Sequence, residues 1–119
     1  MTSSVIRQRD DLRLLVGTEV EVSGRVKEFR RHPKRRELDT LLLVNLIVTP
    51  SIYGESIALH HLWFLKKQFR KIGAVPRRGE RIWFKGIIYA YTRLGGKSKD
   101  RGLLGAEDYG IRPLGYYEN

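Results

Sequence analysis

One segment of the chain, GERIWFKGIIYAYTR from Gly79 to Arg93, alternates between two kinds of side chain. Because successive side chains of a β-strand point to opposite faces, every second residue shares a face. One face would carry only apolar or small residues, namely Ile82, Phe84, Gly86, Ile88 and Ala90. The other would combine aromatic and aliphatic residues with a cation, namely Trp83, Lys85, Ile87, Tyr89 and Tyr91. The pattern predicts a strand whose first face lines a core and whose second face is unusual for a surface exposed only to water.

Four more segments predict strands. Glu19–Phe29, EVEVSGRVKEF, alternates valines with polar residues, and Gly24 in its middle indicates a bend or bulge. Thr40–Val48, TLLLVNLIV, is almost continuously apolar and too short to span a membrane, so we expect a strand buried on both faces. Ser56–Phe64 would pair with it as a hairpin, and Glu107–Tyr116 would form the closing strand.

Two segments have helical spacing. Ser4–Val16 is expected to form a helix that ends at Gly17 and packs as a lid over one end of the sheet, with an amphipathic partner-binding helix as the alternative. Leu65–Ile72, LKKQFRKI, places its apolar residues on one side and its cations elsewhere, and Gly73 ends it. The order along the chain is therefore helix, three strands, a short helix and two strands.

The composition fits one globular domain. The chain has 119 residues, 41% of them hydrophobic, which is enough to bury a core. It contains no cysteine, so disulfides and thiolate metal sites are excluded. No signal-like segment and no apolar run of membrane-spanning length occurs, and we expect a soluble protein of the cytoplasm, including association with the nucleoid.

The net charge of the chain indicates a class of binding partner. Lys and Arg number 23 against 13 Asp and Glu, giving a net charge of +10, and a chain this basic is attracted to polyanions, nucleic acid first. The cations cluster. The segment Arg30–Asp39 holds five Lys or Arg within seven residues, and Leu94–Ala106 is a glycine-rich loop with three more.

The element order and two motifs resemble the OB-fold family. VPRRGERIWFKGIIYAY resembles the entry to the fourth strand of single-strand-binding OB proteins, and DYGIRPLGYY resembles the fifth strand of some of them. The resemblance implies a mainly β fold: a five-stranded Greek-key barrel with an N-terminal helix and a short helix between strands three and four. The whole chain, 1–119, would be one OB domain, with an N-terminal helical segment over 1–17 and the barrel over 18–116.

The resemblance also implies a ligand channel across strands two and three, flanked by the loops Arg30–Asp39 and Leu94–Ala106. Strand two departs from this pattern, because it offers only Asn45 as a polar group and no aromatic platform. We expect Phe29 and Tyr53 to supply rings, whereas Trp63 is favoured as a core residue. Trp83, Tyr89 and Tyr91 could instead pack beneath the N-terminal helix.

The residues predicted to bind nucleic acid are cations for the phosphates and rings for the bases. They are Arg25, Lys27, Phe29, Arg30, Arg31, Lys34, Arg35, Arg36, Tyr53, Lys97, Lys99 and Arg101. A second group of cations lies on the short helix and just after it: Lys66, Lys67, Arg70, Lys71, Arg77 and Arg78. In an OB barrel this surface usually lies away from the channel, so we interpret it as solvated helix surface, with duplex flanks, RNA or an acidic partner as its alternative ligands.

No catalytic signature is present, and we predict neither an enzyme nor a cofactor. His60 and His61 are adjacent, so on a regular strand they would point to opposite faces and could not bind one metal ion together. The function predicted is the binding of single-stranded DNA or RNA with little sequence preference. The alternative is a non-catalytic structural or adaptor module that docks a protein partner or ribosomal RNA. Further candidate partners are an acidic protein and a second copy of the chain, and no interaction with a membrane is expected.

Overall fold

The computed structural model describes residues 6–7, 9–52, 54–93 and 106–117, and the side chains of 12–52, 54–91 and 108–117. Its elements are β1 (Ile6–Arg7), a 3-10 helix (Arg9–Leu15), β2 (Glu19–Arg30), a second 3-10 helix (Arg36–Leu38), β3 (Thr40–Pro50), β4 (Ile57–Leu65), α1 (Lys66–Lys71), β5 (Arg81–Arg93) and β6 (Ala106–Tyr116). The fold is mainly β, as predicted.

The strands form one sheet in the order β1-β4-β3-β2-β5-β6. The strands β2 to β6 are antiparallel to their neighbours, and the short β1 runs parallel to β4. Because β5 returns to lie beside β2, the four strands β5-β2-β3-β4 have the spatial order of a Greek key. Within the described residues the outermost strands, β1 and β6, do not pair with each other, so the sheet is not closed and the predicted barrel is not confirmed.

The core lies on one face of this sheet. As predicted, β2 buries Val20, Val22 and Val26, and β5 buries Ile82, Phe84 and Ile88. The rings of Phe64, Phe69 and Phe84 pack against one another with centroids 5.3 to 5.8 Å apart. Phe69 is completely buried, so it anchors α1 to the sheet. The opposite face, called the outer face below, carries the polar and aromatic residues that alternate with this core.

Gly24 marks a bulge, as its position in the sequence indicated. Ser23 pairs with Ile47 whereas Arg25 pairs with Val44, so β3 has one more residue than β2 at this point. The extra residue is accommodated at Asn45, which has a positive φ of 53°, a conformation that Asn tolerates better than most residues.

Two predictions about the elements are wrong. Ile6–Arg7 is a strand paired with β4, so no helix runs through these two residues, and the chain forms a 3-10 helix over Arg9–Leu15 that buries Leu12. The strand β3 is buried on both faces only over 41–43. Beyond the bulge at Asn45 it alternates, and Ile47 is 38% exposed on the outer face.

Candidate nucleic-acid interface

The basic loop between β2 and β3 is ordered by one histidine. The backbone N–H of His32 donates to the Asp39 carboxylate at 2.8 Å, and the His32 Nδ1 accepts the N–H groups of Lys34 and Arg35 at 3.2 and 3.0 Å. The imidazole therefore satisfies two backbone N–H groups of the turn that follows it. Those side chains, Arg31, Lys34, Arg35 and Arg36, are exposed.

Two cations of this end of the sheet have acidic neighbours. The Arg35 Nε lies 2.7 Å from a carboxylate oxygen of Glu37, and the Arg30 guanidinium lies 3.6 Å from Glu28. Hydrogen bonds from its own backbone N–H and from Arg35, followed by the charge of Lys67, lower the pKa of Glu37. By contrast, Arg31, Lys34 and Arg36 have no ion-pair partner among the described residues.

The short helix α1 lies beside this loop. The Lys66 N–H donates to the Asp39 carbonyl at 2.9 Å, and the Lys66 ammonium lies 5.2 Å from the centre of the Phe29 ring. Lys66, the first residue of α1, therefore adjoins the loop, and the charge of Lys67 acts on Glu37 within the loop. The cations of this loop and of α1 are together called the basic end below: Arg30, Arg31, Lys34, Arg35, Arg36, Lys66, Lys67, Arg70 and Lys71.

A second bulge changes which rings face outward. Val26 pairs with Leu43 and Glu28 with Leu42, so Lys27 is an extra residue of β2. On a regular strand Arg25, Lys27 and Phe29 would share one face, and the bulge separates them. Beyond the bulge Glu28 and Arg30 take the outer face, and Phe29 pairs with the buried Leu41 at the rim of the core, 37% exposed.

Trp63 belongs to the outer face and not to the core. It pairs with Leu42, which pairs with Glu28, and its ring is half-buried. The Arg30 guanidinium carbon lies 4.7 Å from the centre of the Trp63 ring. At the basic end a guanidinium therefore packs over an aromatic ring in a cation–π contact.

The second basic loop starts at the opposite end of the sheet. Its stems are joined by the pair Arg93 and Ala106. Glu19, the first residue of β2, pairs with Ile87, so β5 continues six residues beyond it. The basic end lies at the last residue of β2, Arg30. The predicted contacts Lys97, Lys99 and Arg101 in that loop, and Tyr53, lie outside the described residues.

Arg25 on β2 and Arg81, the first residue of β5, lie side by side on the outer face. Arg25 is exposed and donates to the Gly79 carbonyl at 3.1 Å, and it pairs across the strands with Arg81. Arg81 donates to the Ser23 hydroxyl at 3.2 Å, and its guanidinium carbon lies 5.9 Å from the Trp83 ring centre. Arg25 and Arg81 therefore adjoin each other on the outer face, and Arg81 lies beside Trp83.

The aromatic rings of β5 differ in exposure and in their contacts. Trp83 is 46% exposed and lines a groove of about 390 Å³ on the outer face, together with Glu21, Ser23, Ile47, Thr49 and Tyr117. Tyr91 donates to the Asp108 carboxylate at 3.3 Å, and its ring packs against Tyr89. The sequence left Trp83 ambiguous and did not indicate Ile47, because the bulge that turns Ile47 outward arises from backbone geometry.

The hydroxyl of Tyr117 is buried beside this groove. Burial, and then the carboxylate of Glu21, raise the pKa of Tyr117 to about 12. No hydrogen-bond partner lies within bonding geometry of this hydroxyl in the described part of the chain, so we attribute the effect of Glu21 to its charge. The Glu21 side chain is thus close to the groove and exposed to it.

His60 and His61 both turn away from the core, contrary to the sequence argument. They lie between the buried Leu59 and Leu62, and their Nδ1 atoms are 3.1 Å apart. Asn45, with its positive φ, lies opposite them on β3 and interrupts the alternation there. Among the side chains that are described, no group of three His, Asp or Glu residues gathers to hold a metal ion.

The comparisons give no relative. No protein-family model, curated protein or solved structure matches this chain. Within the described residues no helix is long and apolar enough to cross a membrane.

Proposed function

We propose that this protein binds single-stranded DNA or RNA with little sequence preference, and that its sheet is a partly open OB barrel. The order of β2 to β6, with α1 between β4 and β5, supports the fold assignment, since the OB-fold is a five-stranded and partly open Greek-key barrel. In that fold the face of the second and third barrel strands binds the ligand. These strands are β3 and β4 here, and Trp63 lies on their outer face.

The observation that carries the proposal is the basic end with its two cation-covered rings. At this end Arg30 lies over Trp63 on the outer face and Lys66 lies over Phe29 at the rim of the core, although Arg30 and Lys66 are 36 residues apart in sequence. Cations that follow phosphates and rings on which bases stack are the two components of sequence-tolerant single-strand binding.

The proposal is tested with two charge-matched variants. Arg31→Ala with Arg36→Ala removes two exposed cations of the basic end, and Arg13→Ala with Arg112→Ala removes two exposed cations elsewhere. On a labelled oligonucleotide, the first pair should weaken binding and lower the slope of log K against log salt by about 0.7 for each phosphate that the variant no longer neutralises. The control pair should change affinity much less. Equal losses of affinity in the two double variants would mean that the basic end attracts nucleic acid only through the net charge of the protein, which would contradict the proposal.

A protein or ribosomal RNA partner is the second candidate, and the exposed rings of Trp83 and Tyr89 on β5 favour it. Exposed aromatic side chains are enriched at protein interfaces. An acidic protein that co-purifies at fixed stoichiometry, without nucleic acid, would support this candidate. Loss of that protein from the Trp83→Ala variant, with no change for Arg31→Ala, would assign the interface to β5.

A further inference from the structure

Three residues in one row across the outer face form a slot. Ser23 pairs with Ile47 on one side and with Trp83 on the other, so a small hydroxyl residue lies between two large apolar side chains. Ile47 is 38% exposed and Trp83 is 46% exposed, which is high for apolar side chains on the interior strands of a sheet. This arrangement accounts for the groove described above.

The width of the slot suits one planar ring. Neighbouring strands lie about 4.8 Å apart, so the backbones of Ile47 and Trp83, two strands apart, are separated by roughly 9.6 Å. A flat ring in contact with a wall on each side needs about 3.5 to 4 Å to each of them. A slot of this width admits one ring in contact with both walls and has no room for a second.

The ends of the slot carry different charges. In the next row Glu21 lies between Thr49 and Lys85, and on the other side Arg25 pairs with Arg81. Lys85 on one side and Arg25 and Arg81 on the other place cations at both ends of the slot, where the phosphates that flank a bound base would be, and the Arg81 guanidinium donates to the Ser23 hydroxyl between the walls. The carboxylate of Glu21 lines the groove itself.

We infer that this slot binds one unstacked base of the nucleic acid between Trp83 and Ile47, and that Glu21 favours a base with an exocyclic amino group, cytosine foremost. The inference rests on the proposed function and extends it from sequence-tolerant binding to a preference at one position. A carboxylate accepts the hydrogen bond of the cytosine N4 amino group. The O4 of thymine or uracil is an acceptor, so the same carboxylate repels it.

The stacking is tested with Trp83 as the reporter. Trp63→Phe leaves Trp83 as the sole tryptophan of the chain. Titration of this variant with oligo-dC should quench its fluorescence in parallel with the binding seen by anisotropy of a labelled strand. Binding without any change of Trp83 emission would overturn the slot while leaving the proposed function intact.

The affinity is tested with a variant that fills the slot. Ser23→Val keeps a strand-forming residue but occupies the space between the two walls, and Trp83→Ala removes one wall. Each should weaken oligo-dC binding by between about 5- and 150-fold, the range that one stacked base contributes. Leu114→Ala, which removes an equally exposed apolar side chain from β6, should leave affinity unchanged. Unchanged affinity of both slot variants would overturn the inference.

The base preference is tested with Glu21→Gln. Wild-type protein should bind oligo-dC more tightly than oligo-dT, and Glu21→Gln should reduce that ratio, because an amide can donate to O4 as well as accept. Equal affinity of the wild-type protein for the two strands would overturn the role of Glu21. Absence of binding to either strand would overturn the proposed function together with the slot, whereas binding that depends on Arg31 and Arg36 but not on Trp83 would overturn the slot alone.

Discussion

Arg30 covers Trp63 with its guanidinium carbon 4.7 Å from the ring centre, and Glu28 holds the same guanidinium from the side at 3.6 Å. The contact brings the last residue of β2 onto β4, two strands away. The Arg30 guanidinium thus has two contacts within the protein, one with an aromatic ring and one with a carboxylate.

Arg30→Ala should lower the free energy of unfolding by about 0.5 to 1 kcal/mol, the size of an exposed cation–π contact. Glu28→Gln should change it by less than about 0.5 kcal/mol, because the ion pair is exposed. Urea unfolding followed by circular dichroism measures both. A larger loss of stability for Glu28→Gln than for Arg30→Ala would show that the ion pair, and not the ring, positions Arg30.

The helix α1 should contribute to nucleic-acid binding. Lys67→Ala with Arg70→Ala removes two cations of α1, while Phe69 continues to anchor the helix. We expect weaker single-strand binding and a shallower salt dependence than for the charge-matched Arg13→Ala and Arg112→Ala pair. An affinity equal to that of the control variant would mean that the cations of α1 do not contact the nucleic acid.

Phe69 connects the basic end to the core. Its ring is completely buried against Phe64 and Phe84, so Phe69→Ala should cost about 3 to 5 kcal/mol of unfolding free energy. Phe69→Leu retains most of the volume and should cost less. Chemical denaturation measures both, and a decrease below about 1 kcal/mol for Phe69→Ala would mean that α1 is not packed as described.

Alkaline pH should weaken the fold through Tyr116. Its hydroxyl donates to the Ala74 carbonyl, and burial followed by the charge of Glu80 raises its pKa to about 12. In the unfolded chain a tyrosine ionises near pH 10, so the folded state favours the neutral phenol. This stabilisation is complete below about pH 10 and is lost as the pH rises towards 12.

Tyr116→Phe tests this dependence. Below pH 10 the variant should be less stable than the wild-type protein, by about 0.5 to 1.5 kcal/mol for the missing hydrogen bond. The difference should narrow between pH 10 and 12, because phenylalanine does not ionise. Tyr117 titrates in the same range in both proteins and so cancels in the comparison. A difference that stays constant with pH would contradict the assignment.

Regular alternation predicted the strands well. The faces of β2 before its bulge and of β5 follow directly from period-two spacing, and the buried Phe69 follows from helical spacing. These features depend on the spacing of residues that are close together in the chain, and that spacing can be read directly from the sequence.

The two bulges determine which side chains of the candidate site face outward, and their positions could not be predicted in full from the sequence. The extra residue at Lys27 moved Phe29 to the rim of the core and Arg30 to the outer face, and the positive φ of Asn45 lies where Ile47 and the histidine pair turn outward. The hydrogen bond from Lys66 to Asp39, which places α1 beside the basic loop, joins residues 27 positions apart. Such contacts follow from the topology of the whole sheet.

The most direct measurement is fluorescence anisotropy of labelled oligo-dT, oligo-rU and a duplex of equal length over a series of salt concentrations. We predict tighter binding to single strands than to the duplex, with log K falling by about 0.7 per log unit of salt for each phosphate contact. Weak binding that is equal for all three, or binding that does not respond to salt, would contradict the account.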